Sequence, residues 1–263
     1  MYQFAYHRPD TARKAVNTAA KAEDSKFLAG GMTLLPTMKQ RLAAPAVLVS
    51  LTGIADTRGV CLDNGALSVG GATTHAVVAR EARKYYPALA DLAGGIGDPA
   101  VRNRGTIGGS LGNNDPSACY PAAVLASGAT IVTDRRKIAA DDYFQGMFTT
   151  ALHDGEIIIG VTFPIPEKAA YVKFNQPASR FALTGVFVAK YASGVRVAVT
   201  GASADGVFRW TEAEKALSAN FAASAIAGLS VPSEGMIADL HGSAAYRANL
   251  AKVLTGRAVA SAH

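Results

Sequence analysis

Two of the four glycine pairs of this 263-residue chain, Gly30-Gly31 and Gly108-Gly109, are each closely followed by a hydroxyl residue and restrict the possible folds more than any other feature. The first lies in AGGMTLL at residues 29–35 and the second in GTIGGSLGNND at residues 105–115. Glycine has no Cβ, so its backbone can adopt positive φ and bring N–H groups close to a ligand. Successive N–H groups in such turns form concavities that bind anions, chiefly phosphates. A plain tight turn between a strand and a helix is the alternative interpretation of either pair.

Neither glycine pair fits the common phosphate-binding loops. The chain contains no Gly-Lys dipeptide, which excludes GxxxxGK[ST], and it contains no GxGxxG. ATP hydrolysis and a Rossmann site are therefore poorly supported. What remains is a pyrophosphate held between two loops by backbone N–H groups and by the hydroxyls of Thr33, Thr106 and Ser110, an arrangement that suits a dinucleotide.

The composition indicates a globular chain whose metal chemistry, if any, belongs to another protein. Hydrophobic residues make up 49% and charged residues 17%, which argues against disorder. The length allows one large domain or two smaller ones. The net charge of +6 would suit a polyanion, but the Lys and Arg residues are scattered, so nucleic-acid binding is not expected. Cys61 and Cys119 are the only cysteines, too few for a zinc knuckle or an iron–sulfur cluster.

The sequence predicts a cytoplasmic protein without a membrane span. The stretch MYQFAYHRPD lacks the charged and apolar regions of a secretory signal, and no run approaches the roughly 18 apolar residues of a membrane span. The five histidines are dispersed, without HxH or HExxH spacing, so we expect surface or core positions for them rather than metal ligation.

The first part of the chain alternates predicted strands and helices in an irregular βαβ-like order. Asp10 is predicted to cap a helix, a strand at 26–29 leads into the first glycine pair, and the glycines of YYPALADLAGG are predicted to end another helix. Further predicted elements are strands at 47–51, 66–70, 129–133 and 156–164 and helices at 74–82, 121–128 and 141–148. Pro164 and Pro166 end the last strand, so a domain boundary is predicted near residue 168.

The second part is predicted to be a small antiparallel sheet followed by helices, which makes the fold class α+β. The predicted strands are YVKFN, ALTGVFVAKY and VRVAVTGA, the last two joined by a hairpin at residues 192–194. Thr211 and Glu214 are predicted to form a capping box. Ser243 is predicted to start a helix with one apolar face, formed by Tyr246, Leu250, Val253 and Leu254.

The longer stretches around the glycine pairs, FLAGGMTLLPTMKQR and RNRGTIGGSLGNNDPSACYPA, resemble the FAD-binding (medium) subunit of the molybdenum hydroxylase and xanthine dehydrogenase family. Within the family, the chain is most similar to the carbon monoxide dehydrogenase medium subunit. The resemblance extends to the closing DLHGSAAYRANLAKVLTGRAV. It implies a two-part FAD-binding domain of the vanillyl-alcohol oxidase (PCMH) type at 1–168 and the family's flavoprotein C-terminal domain at 169–263.

The resemblance also implies two loops around the FAD pyrophosphate and several residues beyond them. The implied residues of the first loop are Leu28, Ala29, Gly30, Gly31, Met32, Thr33 and Leu34, and those of the second are Thr106, Gly108, Gly109, Ser110 and Asn113. The remaining implied FAD contacts are Ile96, Gly97, Cys119, Ile158, Lys173 and Phe181. A flat ring at Phe181 could cover one face of the flavin, but an apolar strand also needs a Phe for packing.

Two positions depart from the family pattern. The family usually has a polar residue such as His at the position of Met32 and often has Asp at the position of Cys119. A thiol is a weaker hydrogen-bonding group than a carboxylate and lacks its charge. We still expect FAD binding, because neither change removes the backbone N–H donors.

The function implied by the resemblance is electron transfer within an oxidoreductase complex. A substrate is oxidised at a molybdenum cofactor in a large subunit, and electrons cross two [2Fe-2S] clusters in a small subunit. They then reach FAD in this chain, which passes them to an external acceptor, since a flavin accepts electrons singly and releases them in pairs. A dimer of heterotrimers is implied for the assembly. No catalytic residue and no metal site are assigned to this chain itself.

Two other functions stay open from the sequence. A self-sufficient FAD-dependent oxidoreductase of the same superfold would need its own substrate pocket. A binding module that has lost its FAD site is supported only by Met32 and Cys119. The substrate of the complex and the electron acceptor are not encoded in any motif of this chain.

Overall fold

The computed structural model describes the whole chain, residues 1–263, and begins with a small parallel sheet. The elements of this first unit are β1 (Ala5–His7), α1 (Ala12–Ala19), β2 (Ser25–Leu28), α2 (Leu34–Lys39) and β3 (Val47–Ser50). Strands β1 and β2 both pair in parallel with the central strand β3. Helix α1 packs Ala15 and Ala19 against Val49 of that strand. The first glycine pair thus lies in the loop that leaves the end of β2.

The cap of α1 differs from the prediction. The hydroxyl of Thr11 accepts a hydrogen bond from the Lys14 N–H at 3.2 Å, so Thr11 is the N-cap. The prediction of Asp10 as the cap is wrong. A cap side chain accepts an N–H two or three residues further on, and here the Thr11 hydroxyl takes that position. Asp10 instead forms an exposed ion pair with the Lys14 ammonium at 2.8 Å.

A second unit follows, in which helices cover a five-stranded sheet. Its first elements are β4 (Val60–Asp63), β5 (Ala66–Gly70), α3 (His75–Glu81), α4 (Pro87–Gly94), α5 (Pro99–Arg104), α6 (Ile107–Asn113) and α7 (Tyr120–Ala126). The remaining ones are β6 (Thr130–Thr133), β7 (Lys137–Ala139), α8 (Ala140–Tyr143), β8 (Phe144–Gly146), β9 (Thr149–Thr150) and β10 (Ile158–Pro164). The sheet order is β4-β5-β10-β6-β7, and every neighbouring pair is antiparallel. Val69, Val161 and Phe163 of this sheet share a core with Leu89 and Leu92 of α4.

The predicted helix at 141–148 is wrong over most of its length. Only the turn Ala140–Tyr143 is helical, and the chain then forms the β8-β9 hairpin. Gly146, with φ of 133°, and Phe148, with φ of 55°, leave the helical region. The buried side chain of Asn114 donates to the carbonyls of Gly146 and Thr149, both at 2.8 Å. A contact from a distant part of the chain therefore stabilises the hairpin here.

The third unit is an antiparallel sheet in the order β11-β12-β13-β14, with two helices on one face. Its elements are β11 (Lys168–Asn175), β12 (Ala182–Tyr191), β13 (Gly194–Ser203), β14 (Gly206–Arg209), α9 (Thr211–Ala219) and α10 (Ala244–Ser261). Tyr191 pairs with Gly194 across a two-residue turn, which confirms the predicted hairpin. The chain is thus a mixed helix and sheet protein, as predicted.

Strand β12 is buried on both faces over residues 182–189. Val186 and Val188 pack in the core of the third unit, whereas Phe187 and Ala189 join the core of the second. Strand β12 therefore lies between the cores of the second and third units. Because both of its faces are buried, its sequence is almost continuously apolar.

Two predictions about the last helices need correction. Trp210 rather than Thr211 is the N-cap of α9, and it makes no side-chain cap hydrogen bond. Glu214 is buried and turns to the sheet, where it accepts the Val197 N–H at 2.9 Å and pairs with Arg209. The predicted capping box is therefore absent.

Helix α10 starts at Ser243 as predicted, because the Ser243 hydroxyl accepts the Tyr246 N–H at 3.2 Å. Its buried face contains Leu250 and Leu254, but Tyr246 is 39% exposed and Val253 is 37% exposed, so half of the predicted face is wrong. The actual inner face carries Arg247, which a search for apolar residues misses.

No helix combines the length and the apolar composition that crossing a membrane requires. No group of three or more His, Cys, Asp or Glu side chains is placed to hold a metal ion.

Candidate functional site

The loop with the first glycine pair presents a continuous row of free backbone donors. Gly31 has φ of 75°, a conformation that L-residues with a side chain rarely adopt. The N–H groups of residues 29–34 donate to no acceptor within the chain, and the first paired donor is Leu35, which bonds the Gly31 carbonyl at 3.0 Å. Unpaired consecutive N–H groups in a turn are a ready site for an anion.

The second glycine pair forms the start of helix α6 and differs from the first loop in its hydrogen bonding. Thr106 is the N-cap, and its hydroxyl accepts the Gly109 N–H at 3.1 Å. The N–H of Gly108 donates to the Gly71 carbonyl at 2.8 Å, and that of Ser110 donates to the Thr106 carbonyl at 3.0 Å. This turn therefore offers hydroxyl groups and the exposed backbone of Gly109 to a ligand, while its amides are engaged within the chain.

The two loops pack against each other through glycine backbone. A Cβ on Gly30 would lie 2.7 Å from the Arg104 carbonyl carbon, and a Cβ on Gly108 would lie 2.6 Å from the Gly71 oxygen. A Cβ on Gly109 would lie 3.9 Å from that of Ala29, so the exposed part of the second turn lies beside the first loop. The absence of side chains here is thus required by close backbone approach.

A cleft of about 290 Å³ joins the two loops. It is lined by Ala29, Gly30, Thr52, Arg58, Gly59, Ala72, Thr73, Thr74, Val77, Asn103, Arg104 and Thr106. The lining contains two arginines, four threonines and no carboxylate, so the cleft is cationic and rich in hydroxyl groups. This chemistry matches a diphosphate.

Lys173 contacts, or lies next to, several of the other residues predicted to bind FAD. Its ammonium donates to the carbonyls of Gly95 at 2.8 Å and Arg180 at 2.7 Å, and it lies 3.6 Å from the Cys119 sulfur. The loop that carries Ile96 and Gly97 thus meets the loop that ends at Phe181, with Cys119 between them. We call this arrangement, Gly95–Gly97, Cys119, Lys173 and residues 180–181, the lysine cluster.

Arg102 fixes the Ile96–Gly97 turn within the lysine cluster. Its guanidinium donates to the Ile96 carbonyl at 2.9 Å and to the Gly97 carbonyl at 2.8 Å. Gly97 has φ of 50°, so a glycine is favoured at this turn. The sequence signal for this role was the RNRG stretch, which was quoted above only as part of the family resemblance.

Phe181 is half-buried and packs against the core of the third unit, with its ring centroid 5.8 Å from that of His241. This contact supports its packing role, and contact with a flavin stays a prediction. Ile158 is buried behind α6, where a Cβ on Gly112 would lie 4.0 Å from its Cδ1. Asn113 is partly buried at the last position of α6.

Two buried aromatic residues beneath the second turn were missed by the sequence analysis. Burial, with a smaller contribution from the charge of Arg102, lowers the pKa of His75 to about 4. The Nδ1 of His75 and the hydroxyl of Tyr120 are buried without partners, and the two ring centroids are 5.3 Å apart. A Cβ on Gly105 would lie 2.5 Å from His75 Nε2, so the histidine directly supports the turn that leads into Thr106.

Known proteins resemble this chain over almost its whole length. A family model described as "FAD binding domain in molybdopterin dehydrogenase" matches residues 2–166. The nicotine 6-hydroxylase medium subunit of Paenarthrobacter nicotinovorans is 33% identical, over 98% of this chain and 96% of the relative. The carbon monoxide dehydrogenase medium chain of Hydrogenophaga pseudoflava is 30% identical, over 99% of this chain and 97% of the relative.

The solved structures agree with these relatives. The crystal structure of quinoline 2-oxidoreductase from Pseudomonas putida 86 contains a chain that superposes with a TM-score of 0.88 at 28% identity, covering 98% of this chain and 96% of that one. The family model covers more than half of the chain and includes both glycine loops, whose residues Ala29, Gly30 and Thr106 line the cationic cleft. The chain therefore belongs to the family of FAD-binding domains of molybdopterin dehydrogenases.

Proposed function

We propose that this chain binds FAD between its two glycine loops and transfers electrons within a molybdenum hydroxylase. It receives them from [2Fe-2S] clusters of a partner subunit and passes them to an external acceptor. The observation that carries the proposal is the row of free N–H groups at residues 29–34 beside a cleft that contains arginines and no carboxylate. Such donors and charges suit the FAD diphosphate.

The residues present fit the cofactor, and each group has a distinct task. The amides of residues 29–34 hold the diphosphate, with the hydroxyls of Thr33, Thr106 and Ser110 as further hydrogen-bonding groups. Asn113 extends this contact beyond the turn. FAD supplies the ability to accept electrons singly and release them in pairs. Met32 leaves the cradle intact, because the donors are backbone groups.

The lysine cluster is proposed to lie at the flavin end of the cofactor. Lys173 holds the carbonyls of Gly95 and Arg180 together, which orients the adjacent Ile96–Gly97 turn and Phe181. Cys119 stands where the resembling family often has Asp, so a thiol lies beside the ammonium here. We propose that Ile158 supports α6 from behind.

We propose a molybdenum-binding large subunit and a [2Fe-2S] small subunit as partners, in a cytoplasmic dimer of heterotrimers. The relatives are named as medium subunits or medium chains, which favours this proposal over a self-sufficient oxidoreductase of the same superfold. We also propose a two-part FAD-binding domain of the PCMH type at 1–168 and a C-terminal domain at 169–263. The two sheets that flank the cleft and the end of the family match at residue 166 support this division.

The test is Gly109→Val in the purified chain, with Gly228→Val as the matched control. A Cβ on the exposed Gly109 would lie 2.9 Å from the Thr106 Oγ1 and 3.9 Å from the Ala29 Cβ, so a β-branched side chain there would displace the Thr106 hydroxyl and fill the space between the loops. Gly228 has nothing within 4 Å of its Cβ position. We expect the wild type and the control to show a two-band flavin spectrum and to release FAD on denaturation, as identified by mass.

Gly109→Val is expected to lose the flavin while the third unit keeps its fold. Stoichiometric FAD in this variant would refute the placement of the cofactor between the loops. A colourless wild-type chain that does not take up added FAD would refute the proposed function.

A further inference from the structure

We infer that Arg58 and Arg104, which line the same cleft as Ala29 and Gly30, form a cationic clamp that binds the diphosphate of FAD together with the first glycine loop. This inference rests on the proposed function and deepens it, because it adds two charged side chains to a site otherwise built from backbone and hydroxyl groups. We call these two residues the arginine clamp.

The hydrogen bonds of the two loops show why further groups are needed. The consecutive free N–H groups belong to the first loop, whereas the amides of residues 107–110 all donate within the chain. A diphosphate carries a negative charge on each phosphate and has oxygens on all sides. The amides and hydroxyls of the two loops are neutral and do not balance this charge, whereas a guanidinium balances it through paired charge-assisted hydrogen bonds.

Arg104 is held at one wall of the cleft by its backbone. Its carbonyl carbon packs against Gly30, within 2.7 Å of where a Cβ on that residue would lie. The residue ends helix α5, so its Cα is fixed next to the first glycine loop. Its side chain lines the cleft and makes no ion pair or hydrogen bond within the chain.

The backbone around Arg58 is held at the cleft by hydrogen bonds. The N–H of the following Gly59 donates to the Thr73 hydroxyl at 2.9 Å, and the carbonyl of the preceding Thr57 accepts the Ala72 N–H at 2.7 Å. The Arg58 N–H itself donates to the Ala55 carbonyl at 3.1 Å. The backbone is therefore held in place, while the exposed side chain makes no hydrogen bond or ion pair within the chain; Arg58 lines both this cleft and a neighbouring one that also contains Asp56.

The charges of the cleft favour an anion. Arg58 and Arg104 are its only charged lining residues. Neither guanidinium makes an ion pair within the chain, so a diphosphate bound in this cleft would meet two positive charges that no carboxylate of the lining offsets. The clamp thus explains why neither arginine is neutralised by a carboxylate of this chain.

The experiment measures FAD binding by the full-length apoprotein, through quenching of flavin fluorescence, for Arg58→Gln and Arg104→Gln. Arg13→Gln is the matched control, because Arg13 is exposed on α1 and makes no ion pair. Adenosine diphosphate is the second probe, by competition with FAD, since it contains the diphosphate without the flavin. The melting temperature of each apoprotein measures any effect on folding.

Each glutamine variant is expected to bind FAD and adenosine diphosphate roughly tenfold more weakly at low ionic strength, the loss expected for a hydrogen bond to a charged group. Lysine at either position should restore part of the affinity, because it keeps the charge but not the bidentate geometry. Added salt should reduce the difference in FAD affinity between the glutamine variants and the Arg13→Gln control, because salt screens the charges.

Affinities equal to that of Arg13→Gln would overturn the clamp, and a normal affinity in one variant would overturn the assignment of that arginine. Weaker binding that comes with a matching loss of apoprotein stability would also overturn it. A wild-type chain that binds no FAD would refute the proposed function together with the clamp.

Discussion

Replacing Lys173 with Met tests whether the lysine cluster acts by holding two loops together. The ammonium makes two short hydrogen bonds, to the carbonyls of Gly95 and Arg180, at 2.8 and 2.7 Å. Hydrogen bonds that involve a charged group contribute about 1.5–3 kcal/mol each. Lys173 is partly exposed, so the lower end applies and water can replace part of the loss. We therefore expect a loss of about 2–3 kcal/mol in the free energy of unfolding.

This loss corresponds to a fall in melting temperature of roughly 4–12 °C, since about 1 kcal/mol shifts a chain of this size by about 2–4 °C. Lys190→Met is the matched control. This control removes an ammonium group from β12, the neighbouring strand. The Lys190 ammonium lies 3.5 Å from the carboxylate of Glu167 at the surface. Exposed pairs of this kind contribute at most about 1 kcal/mol.

The assay is thermal unfolding followed by circular dichroism, with and without FAD, together with the flavin spectrum of each variant. Lys173→Met should release FAD more readily and alter the flavin spectrum, while Lys173→Arg should keep most of both properties. A melting temperature for Lys173→Met equal to that of Lys190→Met would refute the reasoning. Loss of FAD without any change in apoprotein stability would show that Lys173 acts on the cofactor directly.

Two further predictions concern buried groups outside the cleft. Arg247 donates to the buried carbonyls of Leu183 and Gly201 at 2.6 and 2.7 Å, so Arg247→Met should lower the free energy of unfolding by about 3 kcal/mol, whereas the exposed Arg257→Met should change it little. Equal urea midpoints for the two variants would contradict this. Burial lowers the pKa of His75 in the folded chain to about 4, so the unfolded chain takes up this proton at a higher pH than the folded chain does. The free energy of unfolding therefore decreases as the pH falls from about 6.5 to 4. The loss from this group is about 3 kcal/mol at full protonation, and His75→Gln should show a flatter stability profile in that pH window. Parallel profiles for wild type and variant would refute the assignment.

Sequence patterns of short range predicted local structure well. Gly31 takes the positive φ expected of a glycine turn, and the two-residue hairpin before Gly194 forms as predicted. The helix that ends at Gly94 and Gly95 was also predicted. These features depend on backbone conformations that neighbouring residues determine, so a few letters are enough to recognise them. The resemblance of the glycine loops to a family was equally local, and the comparisons confirm it.

Patterns failed where a distant residue offers a stronger partner. Glu214 stands at the right position for a capping box but binds the Val197 N–H, because burial at the sheet makes that unpaired amide more costly. The stretch after Tyr143 has helix-like periodicity, yet the side chain of Asn114 binds the carbonyls of the hairpin that forms there instead. In both cases tertiary hydrogen bonds outweigh weak local preferences.

The sequence by itself determined the glycine turns, the main strands and the identity of the family. Only the tertiary structure decided which glycine loop keeps its amides free, since Gly71 and Thr106 occupy those of the second loop. It also decided that Arg58 and Arg104 line one cleft and that Lys173 meets Gly95, which lies 78 residues earlier. The physical reason is that donors, acceptors and charges are satisfied by whatever lies next to them in space. The number of residues between two groups along the chain does not show whether they become neighbours when the sheets pack.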